Sequence, residues 1–303
     1  MSPCPQGGLG GGCQRKVNQK SNEGKRRFHG VTKSNLAQVI RATAKRRWLE
    51  NRCVTIINGF SFGVQIRGII GVCLTLAALS LSAAEKIRIH IISGSKEYKS
   101  EESLKAFVPW LETNYHMTCT VSWGQDGVKK LQGLEHIKQA DVLFVFARRM
   151  KLDEGQMKLI RAHWESGKAV VGVRTASHAF QAADNELFDR KVMGGNYQGH
   201  FGIEPVKVLN VAKDHPVLRD VGAIPTSNRL YKAGPLTPTA TLLQEGDIGK
   251  GRKHAVTWVN TWKGGRTFYT SLGVPADFVD TDFKRLLVNA IFWTAKWKVP
   301  NTK

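Results

Sequence analysis

The order of apolar and polar positions divides this chain into two unlike parts. From residue 87 onward, short apolar, β-branched runs alternate with longer stretches of helical spacing, whereas residues 1–67 show little periodicity. Residues 87–92, 141–147 and 169–173 read as strands, the last two apolar enough to be buried on both faces, and 118–123 alternates as another strand. Residues 103–115 place Leu104, Phe107, Val108 and Leu111 on one face of a helix. A second helix has marked edges. Asp153 serves as N-cap with Gln156 to complete a capping box, Leu152 and Met157 form a staple, Ile160 and Trp164 continue the buried stripe, and Gly167 is the stop. Strands return at 205–210, 230–233, 239–244, 255–261 and 267–271, and 282–297 closes the domain as a helix. Strand–helix alternation with short connections predicts one α/β domain built on a doubly wound, mostly parallel sheet.

The stretch 167–180 is the expected centre. Its strand ends abruptly in Arg174, Thr175, Ser177 and His178, and ligands of open α/β sheets bind at the carboxyl ends of the strands. Arg148 and Arg149 end the neighbouring strand and converge on the same crevice. The alternative is an ordinary strand-to-helix connection with a solvated arginine and a capping hydroxyl. The Gly-rich segment 194–200 lacks the spacing of a dinucleotide or phosphate loop.

Charge and cysteine distribution sharpen the division. The chain carries a formal net charge of +21, but beyond Ala84 the balance is 32 basic against 22 acidic residues, which favours anionic partners without supplying a nucleic-acid-reading module. Four of the five cysteines precede residue 85, so the remaining one, Cys119, has no internal disulfide partner. Residues 1–67 form a basic, low-complexity extension, expected to be disordered or not translated, with a start at Val64 as one explanation. Arg67, the apolar run 68–81 and Ser82-Ala83-Ala84 have the layout of a signal peptide cleaved after Ala84, a retained anchor being the alternative. The expected location is therefore periplasmic or secreted, with membrane contact only through that segment.

Several pieces together carry a family resemblance. They are Arg174-Thr-Ala-Ser-His178-Ala-Phe, Gly194-Gly-Asn-Tyr-Gln-Gly-His200, His215-Pro216, Leu230-Tyr231-Lys232 and Gly265-Arg-Thr-Phe-Tyr-Thr-Ser-Leu-Gly273 with Asp277-Phe278. Over residues 86–298 the chain resembles the ThuA-like (trehalose utilisation) family, which implies a flavodoxin-like fold of the class I glutamine amidotransferase kind. It also implies a role with trehalose and related disaccharides, including their 3-keto derivatives. Amidotransferases of that fold place a nucleophilic cysteine after a Gly-apolar step, and here Gly172-Val173 leads into Arg174. An arginine has no lone pair to attack with, so glutaminase chemistry is excluded. A Gly-x-Ser-x-Gly elbow around Ser177 is also absent. Many ThuA-like proteins carry a histidine after Ser-Leu-Gly where this chain has Val274, so no metal is carried over from the family.

The candidate catalytic residues are His178, His200 and His215 as proton carriers and Arg174 as oxyanion partner. Arg148, Arg149, Glu97, Tyr98, Ser177, Asn196, Tyr197 and Tyr231 are candidate substrate contacts, the tyrosines by stacking on a sugar. His90 reads as a packed strand residue, and His136 and His163 as helix-surface positions. The leading expectation is an exported protein performing acid/base chemistry on a sugar or sugar acid, with no firm cofactor and with a homo-oligomer compatible. Two alternatives stand beside it: a non-catalytic sugar- or anion-binding protein, and a metal-dependent hydrolase in which a divalent ion is held by the three histidines.

Overall fold

The computed structural model describes residues 85–301; the basic extension and the signal-like segment lie outside the described residues. Among the described residues nine strands form one sheet: β1 (Ile87–Gly94), β2 (Met117–Trp123), β3 (Val142–Ala147), β4 (Ala169–Val173), β5 (His200–Asn210), β6 (Thr226–Tyr231), β7 (Thr241–Asp247), β8 (Lys253–Trp262) and β9 (Gly265–Thr270). Their spatial order is β2-β1-β3-β4-β9-β8-β7-β5-β6. The first five in that order pair in parallel, and the pairs from β9 to β6 are antiparallel.

The sheet is thus mixed, with fewer parallel pairs than expected. The difference has a local cause: beyond Phe180 the chain joins β7 to β8 and β8 to β9 by short turns and β5 to β6 by a longer loop, with no crossover helix between any of these pairs. Lys263 and Gly264, at φ 50° and 80°, join β8 to β9 as both central residues of a two-residue hairpin, whose twist matches the flanking strands.

Side-chain alternation sorts the core into two clusters, one per face of the sheet. Ile87, Ile89, Ile91, Val142, Phe144 and Phe146 pack with α1 (Ser100–Asn114) and α4 (Thr281–Thr294) residues such as Leu104, Phe107, Phe283 and Leu287. Ile92, Leu143, Val145 and Val170 face the other cluster with Met157, Ile160 and Trp164 of α2 (Glu154–Glu165). Asp153 caps α2 by accepting from the backbone N–H of Gln156 at 2.9 Å. Gln156 does not complete the capping box, because its amide holds both backbone groups of Leu131 at 2.7 Å. Gly167 ends the turn after α2 at φ 73°, where a Cβ would stand 2.3 Å from the Lys263 carbonyl oxygen. Among the described residues no helix is long and apolar enough to cross a membrane.

The segment that reads as irregular past Phe180 holds the short helix α3 (Ala182–Leu187), running into a wider helical turn at Phe188–Met193. Its terminal carbonyls are satisfied from the sheet: Asn260 Nδ2 donates to Lys191 and Val192, Thr267 Oγ1 to Val192, and Trp258 Nε1 to Met193. Those partners are some seventy residues away in sequence, so no local signal announces the turn.

His90 is fully buried, its ring nitrogens facing Thr120 Oγ1 at 2.8 Å and Ser122 Oγ at 3.3 Å. His163 is also buried, against the helix-surface expectation, with Nε2 on the Ala169 carbonyl at 3.0 Å. Burial pushes both imidazoles down to about 4 from an ordinary value of 6.5. The unfolded chain therefore binds more protons between those values. Each imidazole's contribution is complete above pH 6.5 and is lost as pH falls towards 4, by at most about 3 kcal/mol. Denaturant titrations across that window should show stability falling with pH, and His163→Gln should reduce the slope by about one proton.

Candidate functional site

The carboxyl ends of β1, β3 and β4 meet the β5–β6 hairpin in a polar crevice. Arg174 follows β4 directly with φ 51°, a left-handed strand-to-helix turn that resembles an elbow but carries an arginine. Its guanidinium is 3 % exposed and lies between two tyrosine rings, 4.5 Å from the centroid of Tyr98 and 4.2 Å from that of Tyr231. Nη1 donates to the Ser271 carbonyl, and Nη2 reaches Asn228 Oδ1 at 2.9 Å, the Arg229 carbonyl at 3.1 Å and Tyr98 Oη at 3.3 Å. The Arg174 carbonyl accepts from Tyr269 Oη at 2.6 Å. Four of the chain's five tyrosines, Tyr98, Tyr197, Tyr231 and Tyr269, thus cluster around one buried cation.

An aromatic stack continues outward from this floor. Tyr231 packs against Tyr197 with centroids 4.7 Å apart, and Tyr197 stacks on His178 at 4.5 Å and 20°. His200 stands 6.3 Å from the Tyr231 ring, opposite it in the β5–β6 register, and is exposed with Nδ1 at 2.8 Å from the Phe201 carbonyl. His178 Nδ1 lies 3.1 Å from Ser177 Oγ. Burial, reinforced by Arg148, Arg149 and Arg174, pushes the His178 imidazole down to about 3, so it is neutral at physiological pH.

The polar wall of the crevice is an ion-pair network. Arg148 bridges Glu97 at 3.1 Å and Asp126, and Glu97 also meets Arg229 at 3.4 Å. Arg149 is exposed, donates its backbone N–H to the His178 carbonyl at 2.8 Å, and acts on both His178 and Tyr197 as a positive charge. The 194–199 loop is held by Asn196 N–H on the Ala233 carbonyl at 2.9 Å. It is also held by the buried carboxylate of Asp189, which accepts from Tyr197 N–H at 2.8 Å and is pushed up to about 6 by desolvation.

Among the sequence candidates, Glu97, Tyr98, Arg148, Arg149, Arg174, Ser177, His178, Tyr197, His200 and Tyr231 come together here, with Asn196 half-buried in the adjoining loop. His215 does not join them. It accepts from Val217 N–H at 3.2 Å and packs on Trp293, whose carbonyl is held by Arg266 at the amino end of β9, away from the crevice. Among the described residues no group of three or more His, Cys, Asp or Glu side chains is placed to hold a metal ion. Val274 is buried and contributes its N–H to Asp277 Oδ2 at 3.0 Å. Sequence reasoning missed Asp126, Asn228 and Arg229. Asp126 had a signal, since it follows β2 in a Gln-Asp-Gly turn at the same end of the sheet. Asn228 and Arg229 had none, because β6 enters the site only through its pairing with β5.

Fold and site define an α/β protein with a mixed sheet and a tyrosine-lined, arginine-floored crevice at the carboxyl ends of its parallel strands. The chain belongs to the ThuA family, described as trehalose utilisation, whose match spans residues 88–294. That membership connects it in general terms with carbohydrate use. Two solved structures of thua-like proteins share its fold. The one from Bacteroides uniformis has 17% identity and a TM-score of 0.55, covering 70% of this chain and 93% of its own. The one from Parabacteroides merdae has 16% identity and a TM-score of 0.56, covering 72% and 93%. A cytoplasmic protein of Salmonella typhimurium LT2 also shares the fold at 10% identity and a TM-score of 0.51, covering 69% and 99%. No curated protein matches the chain.

Removing the Arg174 fork should be costly. Arg174→Lys keeps the charge but loses the planar contacts with both rings and most of the carbonyl bonds, so unfolding free energy should fall by about 3 kcal/mol in chemical denaturation.

Proposed function

We propose that the crevice takes one ring of a sugar or of its oxidised keto form, and that His178 moves a proton beside the carbonyl. The supporting observation is the neutral imidazole of His178, stacked on Tyr197 and ringed by Arg148, Arg149 and Arg174. The half-buried rings of Tyr197 and His178 offer aromatic surface for the ring's C–H groups, Tyr231 being covered by Arg174 and Tyr197, and the Glu97–Arg148–Arg229 network offers acceptors and donors for its hydroxyls.

The proton relay is short. Tyr269 Oη donates to the Arg174 carbonyl and is hydrogen-bonded by Ser177. Ser177 then accepts from His178 Nδ1–H, and this tautomer leaves the Nε2 lone pair free to act as base. Nε2 takes the proton from the carbon next to the carbonyl, and the electron pair moves onto the carbonyl oxygen. The positive neighbours that depress the imidazole in the free protein stabilise the resulting oxyanion, and the oxyanion in turn favours the imidazolium. Return of the proton completes exchange or isomerisation without a nucleophile.

Export after cleavage following Ala84 belongs to the same proposal, supported by the apolar run 68–81 and the small residues behind it. So does derivation of the parallel half, β2-β1-β3-β4-β9, from a flavodoxin-like, amidotransferase-type core, supported by the left-handed turn at Arg174. Binding without turnover is the second reading, favoured by the weak basicity of His178.

The test is to incubate the full chain with trehalose, 3-keto-trehalose and 3-keto-glucose in deuterated buffer and follow the proton spectrum. Protein-dependent exchange beside the carbonyl is expected, abolished in His178→Ala. With the free imidazole at about 3, kcat/KM should show no histidine limb between pH 5 and 8. Saccharide binding without exchange by the folded protein would establish the second reading.

A further inference from the structure

A separate groove of about 670 Å³ lies beside the crevice at the carboxyl ends of β1 and β2, lined among others by Ser95, Glu101, Lys105, Trp123 and Gln125. Its volume falls within the range of small-ligand sites. Resting on the reading of the crevice as a sugar site, we infer that this groove is a subsite for a second saccharide unit, so that the ligand is a glycoside of at least two rings.

Three observations converge on that class. Trp123 is 39 % exposed at the end of β2, a large aromatic ring left open in the groove wall, and a sugar's C–H face is the chemistry that such a ring recognises. Ser95, only 1 % exposed and part of the same wall, has a buried hydroxyl with no hydrogen-bond partner. Four of the five charged groups in the lining are paired, Lys105 with Glu101 at 2.6 Å and Lys99 with Glu102 at 3.4 Å, and Lys96 adds a third lysine beside them. The rim therefore mixes donors and acceptors, which suits hydroxyls better than a single-sign field would. Lys105 Nζ stands 5.8 Å from the Trp123 ring centroid and bounds the space over it.

Groove and crevice share a wall. Ser95 and Lys96 face the groove, and two residues later Glu97 and Tyr98 belong to the crevice. Gln125 lines the groove, while the adjacent Asp126 pairs with Arg148. The Glu97–Arg148–Asp126 bridge is thus a ridge over which a glycosidic linkage would pass, with the reacting ring at His178 and the second ring on Trp123.

Calorimetric titration of the full chain with 3-keto-trehalose and with 3-keto-glucose tests this. The two-ring ligand should bind about tenfold more tightly, Trp123→Ala should erase that difference while leaving the one-ring affinity unchanged, and Trp123→Tyr should restore most of it. Trp123→Ala keeps its fold if its melting temperature is that of the parent, as expected for an exposed edge-strand residue. Equal affinity for the two ligands, or equal weakening of both by Trp123→Ala, overturns the subsite and leaves the crevice reading standing. Failure of the parent chain to bind either ligand overturns both.

Discussion

The arrangement depends on how one buried cation is accommodated. Arg174 lies in the interior with no direct ion pair among the described residues, the buried Asp277 carboxyl feeling its charge only from beyond contact, and such a charge is costly. The compensation is distributed: backbone carbonyls of Ser271 and Arg229, the amide oxygen of Asn228, the Tyr98 hydroxyl, and the faces of Tyr98 and Tyr231. These groups come from the segment after β1, the segment after β9, and β6 at the far edge of the sheet. A single guanidinium therefore ties the edge of the antiparallel half to the strand ends of the parallel half. A lysine offers one point charge and no plane, so it cannot span the same three elements.

That accommodation sets the electrostatics of the crevice. Because the direct partners of Arg174 are neutral dipoles and rings, its charge still acts on His178 together with Arg148 and Arg149, as it does on Asp277. Arg148 differs in kind, since Glu97 and Asp126 neutralise much of it and turn it into a wall. The field left over is positive, and in the proposed reaction it would act on the negative charge that develops when a proton leaves the carbon beside a carbonyl. Under that proposal, an environment that weakens the free imidazole as a base would strengthen an imidazolium–oxyanion pair.

The sequence made the parallel half legible because its signals are local: β-branched runs, a capped helix and a glycine stop each specify their own element. Arg174, His178, Arg148 and Arg149 were readable for the same reason, as polar residues placed where strands end. The antiparallel half was read as strands, but its pairing was not, since Lys263-Gly264 is a brief signal and the return of β5 and β6 to the far edge has none. The helical turn at Phe188–Met193 escaped because its capping partners, Asn260, Thr267 and Trp258, are far along the chain. His215 shows the complementary failure. A His-Pro pair in a loop carries the same sequence signal as His178 but caps a short turn at the other end of the sheet.

The Gly172-Val173-Arg174 step sets this site apart from those of enzymes that place a nucleophile at such a turn. The backbone keeps the left-handed conformation, which in a non-glycine residue costs energy that the surroundings must hold in place. A side chain there would ordinarily be presented to substrate. In this chain it turns inward, commits both terminal nitrogens to carbonyls, an amide oxygen and a tyrosine hydroxyl while its Nε stays unpartnered, and leaves Ser177 and His178 beside the crevice. The turn has become a support for the site, and the group facing the ligand is a proton acceptor without an adjacent nucleophile. Reactions that need only a proton moved and an oxyanion steadied remain open to such a site, whereas acyl transfer through a covalent intermediate on this residue does not.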